Sequence, residues 1–349
     1  MDAINQVRAN IRAMSGYVPG EQPRDGEFVK LNTNENPYPP SPRVIEAIRE
    51  SLTGDRLRKY PDPSGAAFRR AAAGVLGVDP DGIIIGNGSD DILTILTRTF
   101  VPEGGLVVSP TPSYILYRSL AEIQGARFQA VPFTSNWRLP DPWPVQGASL
   151  TFLPNPNSPS GTLVERALLE RWIEQVGGPV VIDEAYVDFA DAHAMELTKR
   201  LGVIVTRTLS KSHALAGIRF GFGVADPALI QEMLKVKDSY NCDVLSLAAA
   251  TAAIQDVGYL QLTRAKILAT RARLLAELRK LGFEVSNSHA NFLWCRRNDR
   301  PVKPIYEELK RRLILARYMN YAGYGDGLRI SVGSDAEIDR LLEELRRIV

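Results

Sequence analysis

The sequence contains few of the residues from which metal sites and disulfide frameworks are built. Its 349 residues include two cysteines and three histidines. Cys242 and Cys295 belong to no CxxC pair, which argues against a disulfide framework and predicts two reduced, packed thiols. The histidines are scattered and match no metal-ligand spacing, so we expect no bound metal.

An excess of charge and long apolar runs are missing as well. The chain has 42 Lys and Arg against 40 Asp and Glu, a formal net charge of +2, so we expect neither nucleic acid nor a membrane as a partner. No apolar run approaches the roughly 20 residues that span a bilayer. The opening MDAINQVRAN lacks the apolar segment of a signal peptide, which predicts a cytoplasmic protein.

Short apolar runs that alternate with helical patterns fill the chain from 28 to about 237. The runs are 83–86, 106–109, 148–153, 179–183, 203–207 and 219–223, with helices such as 90–100 and 165–175 between them. Continuously apolar strands separated by helices predict an α/β fold with a mainly parallel sheet covered on both faces. A ligand is then expected at the carboxyl ends of the strands.

The pattern changes after about residue 240. A long amphipathic helix over 260–281 precedes apolar runs at 283–285, 291–295 and 328–332 and helical patterns at 304–313 and 335–348. This mixed order predicts a smaller α+β domain. We therefore expect an N-terminal arm over 1–30, a large domain over 31–240 and a small C-terminal domain over 241–349.

A lysine-containing segment, TLSKSHALAGIR, follows the predicted strand 203–207. If Lys211 is buried at the strand end, its pKa falls and its amine can form a Schiff base. Thr208, Ser210 and Arg219 offer two hydroxyls and a forked cation, which are suitable donors for a phosphate monoester. The alternative is a surface lysine on a polar loop, and this segment alone does not decide between them.

An acidic residue ends the predicted strand 179–183. At this edge of the sheet, the Asp183 carboxylate can keep a pyridine nitrogen protonated and so make the ring an electron sink. Tyr186, in the same DEAY segment, can donate a hydrogen bond to a ring oxygen. The alternative is an acid that caps the following turn.

Three further loops follow predicted strands, and each has two interpretations. GNGSDD at 86–91 precedes a helix and forms either an anion site or a simple N-cap; it does not match GxGxxG, so dinucleotide binding is not supported. Tyr114 either stacks on a flat ring or packs at a helix start. In NPNSPSG at 155–161, Asn157 either presents its amide to a ring oxygen or shapes the loop.

Taken together and in this order, these segments resemble the fold-type-I pyridoxal-phosphate (PLP) aminotransferases, and within them the histidinol-phosphate aminotransferase branch. The resemblance runs from about Leu31 to Gly333. It includes LNTNENPYPPSP at 31–42 and YPDPSG at 60–65. It implies an aspartate-aminotransferase-like fold with PLP as the cofactor.

The resemblance also implies a role for each site residue. The phosphate would be held by one group of residues, the ring by a second group, and the covalent link made by Lys211. The residues implied to hold the cofactor phosphate are Gly88, Ser89, Asp90, Ser210 and Arg219, and Tyr60 would reach the phosphate in a neighbouring subunit. Around the cofactor ring, Tyr114 would stack on the ring face, Asp183 would pair with the ring nitrogen and Tyr186 with the ring oxygen.

Two arginines resemble those that bind the anionic end of the substrate. Arg329 lies in LRISVG, which is similar to the LRITVG of the family, and Arg317 matches a second arginine of the histidinol-phosphate branch. Two guanidinium forks suit one dianion, although Arg317 could instead be a solvated surface cation. Tyr17 and Asn36 are expected to add substrate contacts.

The loop at 155–161 departs from the family pattern. The family has NPNNPTG, so Ser158 occupies the position of the asparagine that contacts the ring oxygen. Either Asn157 or Ser158 must supply that contact, and we expect Asn157.

The implied reaction is ping-pong transamination between L-histidinol phosphate and 2-oxoglutarate in histidine biosynthesis, in a homodimer with shared sites. An aromatic amino acid aminotransferase and a threonine-phosphate decarboxylase are alternatives on the same fold. A PLP-sensing regulatory module is disfavoured, because no space for a DNA-binding domain precedes Leu31. A non-catalytic relative is disfavoured because Lys211, Asp183 and the arginines are all present.

Overall fold

The computed structural model describes residues 3–16, 20–22 and 27–349. Its strands are β1 Val29–Lys30, β2 Ile83–Gly86, β3 Leu106–Thr111, β4 Arg127–Pro132, β5 Leu150–Pro154, β6 Val180–Asp183, β7 Val203–Thr208, β8 Gly221–Val224, β9 Glu284–Val285, β10 Phe292–Arg296, β11 Ile314–Leu315, β12 Arg317–Tyr321 and β13 Gly325–Ser331. They form a seven-stranded sheet in the order β2-β8-β7-β6-β5-β3-β4, a four-stranded sheet in the order β12-β13-β10-β9 and the pair β1-β11.

Helices cover both faces of the large sheet and one side of the small one. The helices are α1 Ala9–Ala13, α2 Pro42–Ser51, α3 Gly54–Leu57, α4 Ala66–Leu76, α5 Ser89–Phe100, α6 Leu116–Gln124, α7 Arg166–Val176, α8 Pro227–Leu234, α9 Val244–Gln255, α10 Val257–Lys280, α11 Lys303–Arg311 and α12 Asp335–Ile348. Short 3-10 turns occupy Ala3–Gln6, Pro80–Gly82, Val187–Phe189 and Met195–Lys199. Within the described part of the chain, we find no helix with the length and apolarity needed to cross a membrane.

The large sheet explains why its strands are continuously apolar. Val180 and Ile182 of β6 belong to one core cluster, with α2, α4, α7 and α9. Val181 belongs to the cluster on the opposite face, with α5, α6 and α8. Because successive side chains point to opposite faces and both faces are covered, every position of such a strand is buried.

The predicted mainly parallel α/β fold is confirmed, with two additions. Strand β8 runs antiparallel to both its neighbours, β2 and β7. The edge strand β4 was not predicted, because its sequence RFQAVP alternates in exposure and is not continuously apolar. The apolar runs from 83 to 223 all appear as strands, and the helix over 335–348 has the predicted bounds.

The smaller layer packs α10, α11 and α12 against its antiparallel sheet. Leu274 and Leu278 of α10 and Leu341 of α12 share a buried cluster with Leu293 of β10. Helix α12 begins at a capping box, in which Ser334 and Glu337 satisfy each other's backbone N–H groups. This reciprocal pairing accounts for the sharp start of the helix.

Two segments pack on the opposite side of the predicted domain boundary at 240/241. Helix α9 lies in the core of the large layer through Ala249, Ala250 and Ala253. Conversely, Val29 and Leu31 pack in the core of the small layer, where β1 pairs with β11. We therefore propose a boundary near Asp256, with 29–31 belonging to the small domain.

The N-terminal arm contacts the large layer. Asn10 Nδ2 donates to the carbonyl oxygen of Glu122 over 2.7 Å, at the end of α6. Tyr17, a predicted substrate contact, lies outside the described residues.

A buried ion pair fixes the carboxyl edge of β6. The Glu184 side chain is 0% exposed, and its Oε2 lies 2.8 Å from Nη2 of Arg207 on β7, which is 12% exposed. The backbone N–H of Ala194 donates to the other carboxylate oxygen. Removing one partner of such a pair leaves an uncompensated buried charge.

We expect Arg207→Ala to lower the free energy of unfolding by about 3–5 kcal/mol, because Glu184 is left buried and unpaired. The matched control is Arg200→Ala, whose partner Glu174 is 69% exposed; its loss should be about 1 kcal/mol or less. Urea unfolding followed by circular dichroism measures both. Equal losses in the two variants would contradict this assignment.

Candidate active site

A cavity of about 570 Å³ opens at the carboxyl ends of β3, β5, β6 and β7. Asp183 at the end of β6 is in register with Pro154 of β5 and Thr206 of β7, so the segments that follow these strands meet at one edge. Strands β12 and β13 of the small layer close the other side. The cavity is therefore built by both layers, at the position predicted for an α/β sheet.

One end of the cavity, at the start of α5, brings together groups suited to an anion, and we call it the anion-binding pocket. Gly88 has φ +84, and a Cβ there would lie 2.6 Å from Nη2 of Arg219, so only glycine allows this guanidinium to approach. Ser89 and Asp90, in the first turn of α5, line the cavity. Backbone N–H groups at a helix start together with an arginine favour a phosphate group.

Two hydroxyls complete this pocket. Thr208 Oγ1 donates to Ser210 Oγ over 3.0 Å, and Arg219 Nη1 lies 3.4 Å from the same Ser210 oxygen. All three residues line the cavity. The structure thus brings together the residues predicted to hold a phosphate. Arg219 has φ +56, a strained conformation of the kind that occurs at functional sites.

An aromatic residue lies beside the anion-binding pocket. Tyr114 lines the cavity, and its hydroxyl donates to Asp90 Oδ1 over 3.0 Å. Arg219 Nη2 approaches the other oxygen of Asp90 at 3.7 Å. The Asp90 side chain therefore positions Tyr114 and Arg219. Among the described residues, no side chain caps the start of α5, so the first backbone N–H groups of this helix can bind an anion.

Lys211 lines the cavity between the two layers. Its Nζ donates to the carbonyl oxygen of Thr33 over 3.3 Å and lies 5.9 Å from the centre of the Tyr186 ring. The amine thus faces the cavity instead of bulk solvent, which favours the Schiff-base interpretation of the segment over that of a surface lysine.

The carboxylate of Asp183 is buried at the base of the cavity. Its Oδ2 accepts a hydrogen bond from Tyr117 Oη over 2.6 Å, and its Oδ1 accepts one from the N–H of Ala185 over 3.1 Å. Burial raises the pKa of Asp183 to about 6, although both hydrogen bonds act in the opposite direction. Near neutral pH the group is still mainly an anion, as a partner for a protonated pyridine must be.

Tyr186 is held by a residue that sequence reasoning missed. Asn34 Nδ2 donates to Tyr186 Oη over 2.9 Å, and Asn34 lines the cavity. Its φ of +56 suits asparagine, which tolerates the left-handed region. The NEN motif contains two asparagines, and no local feature of the sequence shows which one faces the cavity. The sequence-based prediction named Asn36 instead of Asn34.

The side-chain amide of Asn36, a predicted substrate contact, is engaged by backbone groups. It does not line the cavity; its Nδ2 donates to the carbonyl oxygen of Ser212 over 2.9 Å, and its Oδ1 accepts from the N–H of Tyr38 over 3.0 Å. Both ends of the amide are used by backbone groups. Asn36 therefore fixes the loop that carries Lys211.

Ser158 lies on the cavity wall, whereas Asn157, the residue expected to contact the ring oxygen, does not. The Asn157 side chain turns into its own loop, where Nδ2 donates to Ser160 Oγ over 2.9 Å and to the carbonyl oxygen of Pro112 over 3.3 Å. Ser158 lines the cavity and accepts a hydrogen bond from Arg329 Nη1 over 3.0 Å.

Arg317 and Arg329 lie opposite each other on β12 and β13. Directly paired residues of an antiparallel sheet share one face, and both residues line the cavity. Arg329 Nη2 also donates to the carbonyl oxygen of Asn32 over 3.0 Å. Two cations therefore face the cavity from the small layer, and Arg317 is not simply a solvated surface residue.

Tyr60 does not line the cavity of its own chain. It is 80% exposed, and its ring stacks on Tyr240 at 4.4 Å between centroids. The predicted role of Tyr60 at a neighbouring subunit requires such a surface position.

The cavity fits PLP, a flat pyridine that carries a phosphate, a ring hydroxyl and an aldehyde. The anion-binding pocket provides N–H groups, hydroxyls and a guanidinium for the phosphate, and Asp183 provides a buried carboxylate for the ring nitrogen. Tyr114 provides an aromatic face and Lys211 an amine for the aldehyde. This set of donors matches the chemistry of the group.

Comparison with known proteins agrees with the site. The model of the aminotransferase class I and II family matches residues 26–345. Histidinol-phosphate aminotransferase of Rhodopirellula baltica is 51% identical over 346 residues, covering 98% of this chain and 95% of the relative. Histidinol-phosphate aminotransferase 1 of Trichormus variabilis is 44% identical over 348 residues, or 99% of each chain.

A solved structure shares the fold. Histidinol-phosphate aminotransferase from Sinorhizobium meliloti, crystallised in complex with pyridoxal-5'-phosphate, superposes with a TM-score of 0.82 at 27% identity, covering 92% of this chain and 91% of that one. Fold and site together define an enzyme that uses PLP to transfer amino groups. The chain belongs to the class I and II aminotransferase family, which confirms the predicted fold, family and cofactor.

We expect the affinity of the apo-protein for PLP to fall below about pH 6, the pKa of Asp183. Below that pH the carboxyl carries a proton that must leave before it can pair with a protonated ring, so affinity drops by up to about tenfold per pH unit. Fluorescence titration at several pH values measures this.

Asp183→Asn is the control, because the cofactor phosphate itself titrates near pH 6, as phosphate monoesters do. In this variant, the loss of PLP affinity at low pH that is due to Asp183 should vanish. The loss that is due to the phosphate should remain. Identical pH dependence in the two proteins would show that Asp183 does not face the ring.

Proposed function

We propose that this enzyme transfers the amino group of L-histidinol phosphate to 2-oxoglutarate, giving imidazole-acetol phosphate and L-glutamate in histidine biosynthesis. The main support is the pair Arg317 and Arg329, which face one cavity from adjacent strands. Two guanidinium groups suit a phosphate dianion better than one carboxylate. Relatives named histidinol-phosphate aminotransferase over nearly the whole chain add support.

The residues of the cavity then have distinct roles. The bound cofactor supplies an electron sink for the charge that develops at the substrate α-carbon. Asp183 holds a proton at the ring nitrogen, and Tyr186, held by Asn34, donates toward the ring oxygen. Lys211 Nζ serves as the general base that takes the α-proton. Arg329 and Arg317 orient the substrate, so that this proton faces the amine.

Ser158 is the proposed partner of Arg329 in this orientation. Its hydroxyl accepts from Arg329 Nη1 over 3.0 Å, while the carbonyl of Asn32 accepts from Nη2 over 3.0 Å. A guanidinium with both terminal nitrogens held in place loses less side-chain entropy when a ligand binds. The serine that departs from the family loop therefore contributes to substrate placement.

The alternatives on this fold are less well supported. An aromatic amino acid or another carboxylate substrate needs one arginine and gives Arg317 no role. The aromatic transaminase and the threonine-phosphate decarboxylase are also not favoured by the relatives, which are histidinol-phosphate aminotransferases by name. We include a cytoplasmic location in the proposal, since this reaction is one of biosynthesis.

We expect wild-type enzyme to lose its yellow cofactor absorption far faster with L-histidinol phosphate than with L-histidinol, and 2-oxoglutarate to restore it. Arg317→Ala should reduce this preference about ten- to a hundredfold, since a charge-assisted contact is worth about 1.5–3 kcal/mol. Single-turnover stopped-flow spectra measure the ratio. The control is Arg279→Ala, an arginine outside the cavity.

Two outcomes would contradict the proposed substrate. One is conversion by phenylalanine or tyrosine without conversion by L-histidinol phosphate. The other is an unchanged preference in Arg317→Ala, which would remove that residue from phosphate binding.

We further propose a homodimer in which Tyr60 reaches the phosphate pocket of the partner subunit. Tyr60 and Leu57 are exposed by 80% and 56%, and Tyr240 stacks on Tyr60. Neighbouring exposed apolar side chains of this kind are typical of a protein interface. An isologous interface would carry each Tyr60 toward the other chain's site.

Mixing Lys211→Ala with Tyr60→Ala protein should restore about a quarter of wild-type activity, because half the dimers are mixed and one of their two sites is intact. Subunit exchange followed by a transamination assay measures this. Lys211→Ala mixed with Asp183→Asn is the control and should stay inactive, since both residues act in their own chain. No recovery in the first mixture would contradict the shared site.

A further inference from the structure

Tyr117 is a buried tyrosine three residues after Tyr114, and the family resemblance assigned it no role. It lies in the first turn of α6 and is 1% exposed. Its ring stacks on Phe152 of β5 at 4.7 Å between centroids and meets Tyr114 edge to face at 5.6 Å. Contacts on two sides fix the ring in one position.

The hydroxyl of Tyr117 points at the carboxylate at the base of the cavity. It donates to Asp183 Oδ2 over 2.6 Å, a short hydrogen bond that is buried at both ends. Burial, and then the charge of Asp183, raise the pKa of Tyr117 well above its usual range. The phenol therefore stays a donor at every working pH.

We propose that Tyr117 is the positioning residue for Asp183: its hydroxyl holds the carboxylate ionised and in one orientation for the pyridine nitrogen of PLP. The inference rests on the proposed role of Asp183 and adds a specific residue to it. Two donors orient this carboxylate, the phenol at Oδ2 and the N–H of Ala185 at Oδ1. The side chain thus has a fixed rotamer before the cofactor binds.

Packing alone does not explain a tyrosine at this position. The surrounding cluster is apolar, with Leu120, Phe152 and Val181 among its members, and a phenylalanine would fill the same volume. A buried hydroxyl without a partner is costly, so the phenol is favourable here only because Asp183 accepts its hydrogen bond.

Burial and a neighbouring like charge make this support necessary. Burial, and to a lesser extent the carboxylate of Asp90 on α5, raise the pKa of Asp183, whereas Tyr117, the N–H of Ala185 and the Thr206 hydroxyl lower it. Without the phenol, more of Asp183 is protonated near neutral pH. A protonated carboxyl cannot stabilise a positive ring nitrogen.

The test compares Tyr117→Phe with Tyr259→Phe in the full-length protein. The control also loses one phenolic hydrogen bond, from Tyr259 to the carbonyl oxygen of Pro39, and neither residue lines the cavity. Three quantities are measured: the dissociation constant of PLP, the pH dependence of that constant, and the thermal midpoint. Asp183→Asn and the double variant complete a double-mutant cycle.

We expect Tyr117→Phe to weaken PLP binding by about tenfold or more, the loss of one hydrogen bond to a charged group. The affinity of this variant for PLP should begin to fall at a higher pH than in the wild type, since Asp183 loses a group that lowers the pKa of its carboxyl. In the Asp183→Asn background the same change should have little further effect, because coupled residues are not additive.

Several results would overturn the proposal. Wild-type affinity and pH dependence in Tyr117→Phe would do so. The proposal would also fail if Tyr117→Phe reduced PLP affinity by the same factor in the Asp183→Asn background as in the wild type. A lowered thermal midpoint with unchanged cofactor binding would overturn it as well, since each result indicates a purely structural role. If Asp183→Asn itself binds PLP normally, the role of Asp183 fails first, and Tyr117 has nothing to position.

Discussion

A carboxylate kept buried at the carboxyl edge of a parallel sheet is the constraint on which this structure depends. Burying Asp183 is unfavourable for its charged form and raises its pKa to about 6. The surrounding structure compensates with two directed hydrogen bonds. The adjacent Glu184 is buried too and is paired with Arg207. Strand β6 thus ends in two anions, one neutralised for stability and one left available for a cofactor.

The rest of the site is arranged around that carboxylate by both layers. The segment 31–36 connects them: the N–H of Asn34 donates to Ser331 Oγ over 2.8 Å in the small layer, and its side chain donates to Tyr186 in the large one. The carbonyl of Thr33 accepts from Lys211 Nζ. One extended segment therefore sets the position of the amine, the ring-oxygen donor and the wall that carries Arg329.

The sequence predicted those parts of the site that sit in local motifs. Lys211, Asp183 and Arg219 follow or precede short apolar strands, and the carboxyl ends of parallel strands meet at one edge, so their convergence could be expected. The hydrogen bonds of Tyr117 and Asn34 could not be predicted this way. Their partners lie 66 and 152 residues away in the chain, and a contact of that kind leaves no local pattern.

The same distinction explains where the structure differs from the sequence-based expectations. Within NEN and NPNSPSG the neighbouring polar side chains are chemically similar, and the backbone conformation decides which one faces the cavity. Asn34, with φ +56, faces it, and Asn36 does not. Helix α9 was placed with the small domain because its apolar, alanine-rich sequence does not reveal which layer it packs against; α2 and α4 hold it in the large one.

The most direct test of the account is to find which lysine carries the cofactor. The holoenzyme is reduced with borohydride, digested and mapped by mass spectrometry. The account predicts a single phosphopyridoxyl adduct on Lys211, lost in Lys211→Ala while that variant still binds PLP without a covalent bond. An adduct on another lysine, or one that persists in Lys211→Ala, would contradict the placement of the cofactor against Asp183 and the anion-binding pocket.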